Sequence, residues 1–183
     1  VIRTTAETLS GIPSIVYGLF GMLFFVTYLG WGTSLLAGAM TLSIMILPLI
    51  MRSTEEALRA VPDSYREGSF GLGAGRLRTV FKVILPPAMP GILAGIILAV
   101  GRIVGETAAL LYTSGTMAKI PDLAHDHLVM GAGRTLAVHM YMLSGEGLHM
   151  KEANATAVVL LVVVLLINML SSFIAKKLTK EKA

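Results

Sequence analysis

The chain has 183 residues, of which 55% are hydrophobic and only 14% charged. A soluble domain carries about 25% charged residues, so this composition excludes a water-soluble globule and implies a protein solvated largely by lipid. The net charge of +4 reads as a topology signal rather than a nucleic-acid surface, and the absence of cysteine excludes disulfides, thiolate metal sites and thiol nucleophiles.

A membrane-spanning helix needs about 20 predominantly apolar residues. Four stretches qualify, at residues 12–31, 35–51, 88–113 and 155–175. The first places Tyr28 and Trp31 where an interfacial aromatic belt would sit. A short Gly-Trp-Gly-Thr turn after it predicts an antiparallel hairpin with the second. Basic residues gather at Arg52, Arg59, Arg66, Arg76, Arg78 and Lys82, between the second and third spans, and at Lys176, Lys177, Lys180 and Lys182 in the tail. The equally long segment at residues 114–154 holds only Lys119, Arg134 and Lys151. Positive charge marks the cytoplasmic side, so both basic regions and both ends of the chain are expected inside, and residues 114–154 outside.

The cytoplasmic loop, residues 52–86, reads as three short helices. Ser53 with Glu56, and Ser64 with Glu67, are spaced as capping boxes. Pro62 stops the first helix and favours the start of the second. Gly71, Gly73 and Gly75 break the second. The third begins near Arg76, with Leu77, Val80, Phe81 and Ile84 at helical spacing, and Pro86-Pro87 is expected to end it at the membrane surface. Such short helices do not persist alone in water, so they must pack on the spans or on a partner. The glycine run is no nucleotide site: Arg76 stands where the last glycine of a dinucleotide fingerprint would be, and no Gly-Lys-Ser/Thr occurs.

Glu67-Gly68-Ser69, Gly73 and Val83-Ile84-Leu85-Pro86 resemble the EAA signature of ABC importer permeases. The spacing matches throughout; Gly68 and Ser69 replace alanines and Val83 replaces an isoleucine. In that family the loop docks in a groove of a cytoplasmic ATPase. The resemblance thus implies coupling roles for Glu67, Gly68, Ser69, Gly73, Val83, Leu85 and Pro86, with ATP hydrolysed by another chain. The physical need is a compact plug, with small residues for close approach and a glutamate as polar anchor. An ordinary solvated loop, in a membrane scaffold or channel with no ATPase, is the alternative.

In the third span, Arg102 and Glu106 are ionisable groups at a depth where each costs at least about 2.5–3.5 kcal/mol. At about 100° per residue, Gly91, Gly95, Leu98, Arg102, Gly105, Glu106 and Ala109 share one arc, expected to face protein or an aqueous path. Ile92, Ile96, Val100, Ile103, Leu110 and Leu111 cover the other, expected to face lipid. Gly91/Gly95 and Gly101/Gly105 permit close helix packing. One reading makes Arg102 and Glu106 an ion pair that fixes packing. The other makes Arg102 attract an anion that Glu106 tunes, since a carboxylate can accept the O–H of hydrogen phosphate, which sulfate lacks at neutral pH.

Three stretches narrow the resemblance: residues 54–62, Gly11-Ile12-Pro13-Ser14-Ile15-Val16-Tyr17-Gly18-Leu19-Phe20-Gly21, and Arg102-Ile103-Val104-Gly105-Glu106-Thr107-Ala108. They look like the phosphate-specific ABC permeases of the PstA type, from Ala6 onward. The resemblance implies an all-α polytopic fold of the MetI-like type I importer class, one permease domain over residues 1–183, and six spans in a full member, of which this sequence lacks the first two. It also implies a bacterial inner-membrane location and a substrate path through Arg102 and Glu106. The implied partners are an ATPase dimer, a second homologous permease subunit, an external phosphate-binding protein and phosphate. Another oxyanion or small solute remains the same-class alternative. No cofactor or metal is expected: His125, Asp126 and His127 lack a third ligand. His139 and His149 are expected on a short amphipathic helix over residues 135–143, resting at the membrane surface or facing the binding protein.

Overall fold

The computed structural model describes residues 8–118, 129–145, 147 and 149–180. His125, Asp126, His127 and Lys119 lie outside the described residues. All regular structure among those described is helical.

Helix α1 (Ser14–Tyr28) starts after Pro13, whose fixed φ suits a helix entrance, and turns π-helical over Met22–Tyr28. It spans at most about 22 Å, short of a hydrocarbon core of about 30 Å, so the first expected span is shorter than its apolar sequence. The chain after Tyr28 folds back: Trp31 stacks on Phe25 at 5.3 Å, through a turn that needs the positive φ of Gly30 and Gly32.

Helix α2 (Leu35–Arg59) is capped by Ser34, whose Oγ accepts from Ala37 N at 3.2 Å. Two further first-turn donors are met from far along the chain: Leu35 N and Leu36 N donate to the carbonyls of Gly131 and Val129, each at 2.9 Å. The expected end at Met51 and the capping box at Ser53 do not occur. Ser53 Oγ instead donates to Ile50 O at 3.1 Å, a bond that needs a helical turn before the serine, where a cap would need a break. Arg52–Glu56 at 2.9 Å and Arg59–Glu55 at 2.7 Å line its surface. No break in the helix precedes Ser53 to release the donors that a cap would satisfy, so the span runs on into the basic loop.

Helix α3 (Asp63–Gly71) follows Pro62, which stands at its N-cap position, so Ser64 lies inside the first turn and the second capping box is also absent. Asp63 pairs with Arg66, which also donates to Leu58 O at 3.0 Å and ties α3 to the end of α2. Gly73, at φ +78°, makes the turn that ends this segment.

Helix α4 (Arg76–Val104) is the largest departure from expectation. Pro86-Pro87 does not end the third loop helix; the same helix enters the membrane. The Thr79–Ile84 stretch is π-helical, and Leu85 N donates to Val80 O. That local widening re-routes backbone bonding where two prolines lack donors. Of the helically spaced Leu77, Val80, Phe81 and Ile84, only Ile84 is buried, in a cluster with Val61 and Ala88. The expected glycine packing holds at its centre. A Cβ on Gly91 would lie 2.8 Å from Ala57 Cβ, and one on Gly95 would collide with Ser53.

After a break at residues 105–107 comes the short α5 (Ala108–Thr113). It packs on α1 and α2 in a core of Tyr17, Leu42, Met45, Ala109, Leu110 and Val138. Gly18 allows this contact: a Cβ there would lie 2.8 Å from Ala109 Cα. Helix α6 (Leu136–Gly145) carries His139 and sends Ala137 and Val138 inward, so it is anchored in the core rather than merely resting on a surface. His149 is not on it; it precedes α7 (Met150–Lys180) and meets Glu152 at 3.8 Å. Among the described side chains of α7 only Ala153 is buried.

Candidate functional site

The end of the molecule that carries the basic loop presents the EAA-like residues on two helices held together. Ser69 and Thr79 are buried, with their hydroxyl oxygens 2.9 Å apart, and Thr79 Oγ1 also donates to Gly75 O at 3.2 Å. With the Thr79 proton on Gly75, Ser69 is the donor of the pair. The serine that replaces the second alanine of the signature therefore clasps α3 to the base of α4. Glu67 and Gly68 face outward. A Cβ on Gly68 would meet nothing within 4 Å, so any close approach at Gly68 is to something other than this chain. A hollow of about 650 Å³ runs beside them, bounded by Tyr65, Ser69, Leu72, Arg78 and Val83. Leu72, which lines it, is 90% exposed, and Leu77, 76% exposed, and Phe81 are bare on α4. Leu85 and Pro86 are half-buried at the membrane end of the same rod. The apolar side chains of Leu72, Leu77 and Phe81 are bare in the chain alone, beside a fixed helix pair.

The membrane-embedded part separates Arg102 from Glu106, contrary to the shared arc expected of them. The α-helix stops at Val104, Gly105 occupies its C-cap, and Glu106 N closes the turn on Ile103 O at 3.1 Å. Glu106 Oε1 then accepts from Ala109 N at 3.2 Å, capping α5. The two charged side chains make no ion pair, which removes the reading in which they neutralise each other. The expected lipid face does not hold either, before or after the break. Leu110 is buried, and Ile103 and Leu111 pack on the core, whereas Leu98 is 64% exposed on the side of Arg102.

Arg102 opens into a crevice of about 620 Å³ between α2, α4 and α7. Its walls are Leu49, Ala94, Leu98 and Val164, and its other polar side chain is Asn168 of α7. Sequence reasoning missed Asn168. The available signal was a lone amide after the unbroken aliphatic run at residues 157–167, where polar groups are costly to place.

The chain matches the family described as binding-protein-dependent transport system inner membrane component over residues 1–182. It belongs to that family. Members are transport components, and three helices here are long and apolar enough to cross a membrane, so this permease-family chain is a multi-pass membrane protein. It is 41% identical over 193 aligned positions to the probable ABC transporter permease protein YqgI of Bacillus subtilis (strain 168), covering 97% of this chain and 66% of that protein. It is 35% identical over 183 residues to the phosphate transport system permease protein PstA 1 of Mycobacterium tuberculosis (strain CDC 1551 / Oshkosh), covering 100% of this chain and 59% of that one. The chain thus spans less than two thirds of the length of either relative. Its fold is similar to a chain of the MetNI methionine ABC transporter in an inward-facing conformation, with TM-score 0.76 and 25% identity over 95% of this chain and 72% of that chain. The MetI-like all-α permease architecture is therefore the fold of this protein.

Proposed function

We propose that the chain is a transmembrane permease subunit of an ATP-driven inorganic phosphate importer. The observation that carries the ATP-driven part is the clasped α3–α4 pair, with Glu67, Leu72, Leu77 and Phe81 bare on its cytoplasmic face. Residues 52–86 then form the coupling segment, docking on a separate ATPase dimer that hydrolyses the ATP. Glu67 and Gly68 make the contact; Ser69, Gly73, Val83, Leu85 and Pro86 hold its shape. Phosphate as cargo is supported by the kinship to proteins named phosphate transport permeases and by Arg102, an unpaired cation in the crevice. Glu106 acts by fixing the α4–α5 break beside the path. A second homologous permease subunit completes the pathway, an external phosphate-binding protein delivers substrate, and the basic loop and basic tail of this chain lie in the cytoplasm.

Phosphate uptake by the complete assembly in proteoliposomes tests this. Arg102→Ala is expected to lower uptake by at least about tenfold, the scale of a lost hydrogen bond to a charged ligand. Glu67→Lys and Gly73→Trp are expected to weaken capture of the ATPase. Uptake of a different oxyanion but not phosphate would leave the importer and remove the cargo assignment. Undiminished ATPase binding by both loop variants would contradict docking through this face.

A further inference from the structure

Arg102 and Asn168 come from different helices, α4 and α7, yet line one crevice. Neither side chain has a hydrogen-bond or ion-pair partner among the described residues. Their polar atoms are not sealed in; the only buried side-chain polar atom without a partner among the described residues is Nε of Arg134, elsewhere. Arg102 is exposed and Asn168 half-buried, so both face the open crevice, and polar groups at membrane depth mark pathways. Gly101 brings them together. A Cβ there would lie 3.4 Å from Asn168 Oδ1, so the amide rests against bare backbone one residue from Arg102. The remaining walls are aliphatic, and a charge-assisted hydrogen bond is stronger there than in water.

We infer that Asn168 is a substrate-binding residue, which forms with Arg102 an oxyanion site selective for a protonated tetrahedral anion such as hydrogen phosphate. The guanidinium supplies charge and paired donors. The amide supplies both a donor to a phosphate oxygen and an acceptor for the P–O–H proton. A neutral acceptor suits an anion path better than a carboxylate does. Glu106, the nearby carboxylate, accepts from Ala109 N through Oε1. This assignment rests on the phosphate-importer reading and adds to it the group that recognises the substrate proton.

The test uses the complete transporter with its ATPase and binding protein in proteoliposomes, with inorganic phosphate as the probe. Uptake and ATP hydrolysis are measured on the same preparation. Asn168→Leu, close in volume, is expected to lower the phosphate moved per ATP by at least about tenfold, the scale of one hydrogen bond to a charged ligand. Asn168→Ser, which keeps a donor and an acceptor, should fall between it and the parent. A parent-like ratio in both variants overturns the role of Asn168 while leaving the importer reading intact. A parallel fall in uptake and hydrolysis, with the ratio unchanged, assigns Asn168 to helix packing and also overturns it. A parent protein that moves no phosphate removes the functional reading itself.

Discussion

At the scale of single residues, hydroxyls and bare backbone hold the critical contacts. Thr79→Val should leave the buried Ser69 hydroxyl without its acceptor and cost about 1–3 kcal/mol. Adding Ser69→Ala to that variant removes the orphan as well, so the double variant should be more stable than Thr79→Val alone. Unfolding of the four proteins in detergent measures this cycle. Gly18→Ala would press a methyl against the Ala109 backbone, which cannot swing aside as a side chain can. A loss of about 1–3 kcal/mol is expected, and an unchanged melting temperature would contradict the close approach of α1 and α5. Residues of this kind were partly legible. The pairs Gly91/Gly95 and Arg102's membrane depth follow from spacing alone, but Ser69 looked like a mere exchange for alanine because its partner, Thr79, is brought to it only by the turn at Gly73.

At the scale of helices, the sequence marks apolar stretches well and their ends poorly. Ser53 and Glu56 have the spacing of a cap, yet a cap needs a preceding break, and the run from Leu35 supplies none. Pro86-Pro87 has the composition of a stop, yet the π-helical turn before it absorbs the missing donors, a backbone adjustment that no residue type announces. The opposite error occurs at residues 105–107, where a continuous apolar run conceals a break stabilised by Glu106. That cap gives a prediction. Glu106→Ala should lose about 1 kcal/mol, whereas Glu106→Gln keeps an acceptor for Ala109 N and should stay near the parent in thermal unfolding. Equal losses in both would mean that the charge, not the hydrogen bond, holds α5.

At the scale of the whole molecule, the fold class followed from charge poverty and the EAA-like spacing, both visible without coordinates. The arrangement of α7 around the Arg102 crevice was not, because a lipid-facing helix tolerates almost any aliphatic order. Sidedness can be read directly, since the chain has no cysteine. Leu72→Cys should react with an impermeant thiol reagent only from the cytoplasmic face, and Ser144→Cys only from the opposite one. Labelling of both from the same side would overturn the assigned orientation.

The unbroken α4 has a mechanical meaning. From Pro90 to Arg102 the rod is about 18 Å long, so pivoting it by about 10° near the prolines swings the guanidinium through about 3 Å. That stroke equals the reach of one hydrogen bond. On the importer reading proposed above, a small displacement at the basic end of α4 is thereby geared into the difference between gripping an anion and letting it go.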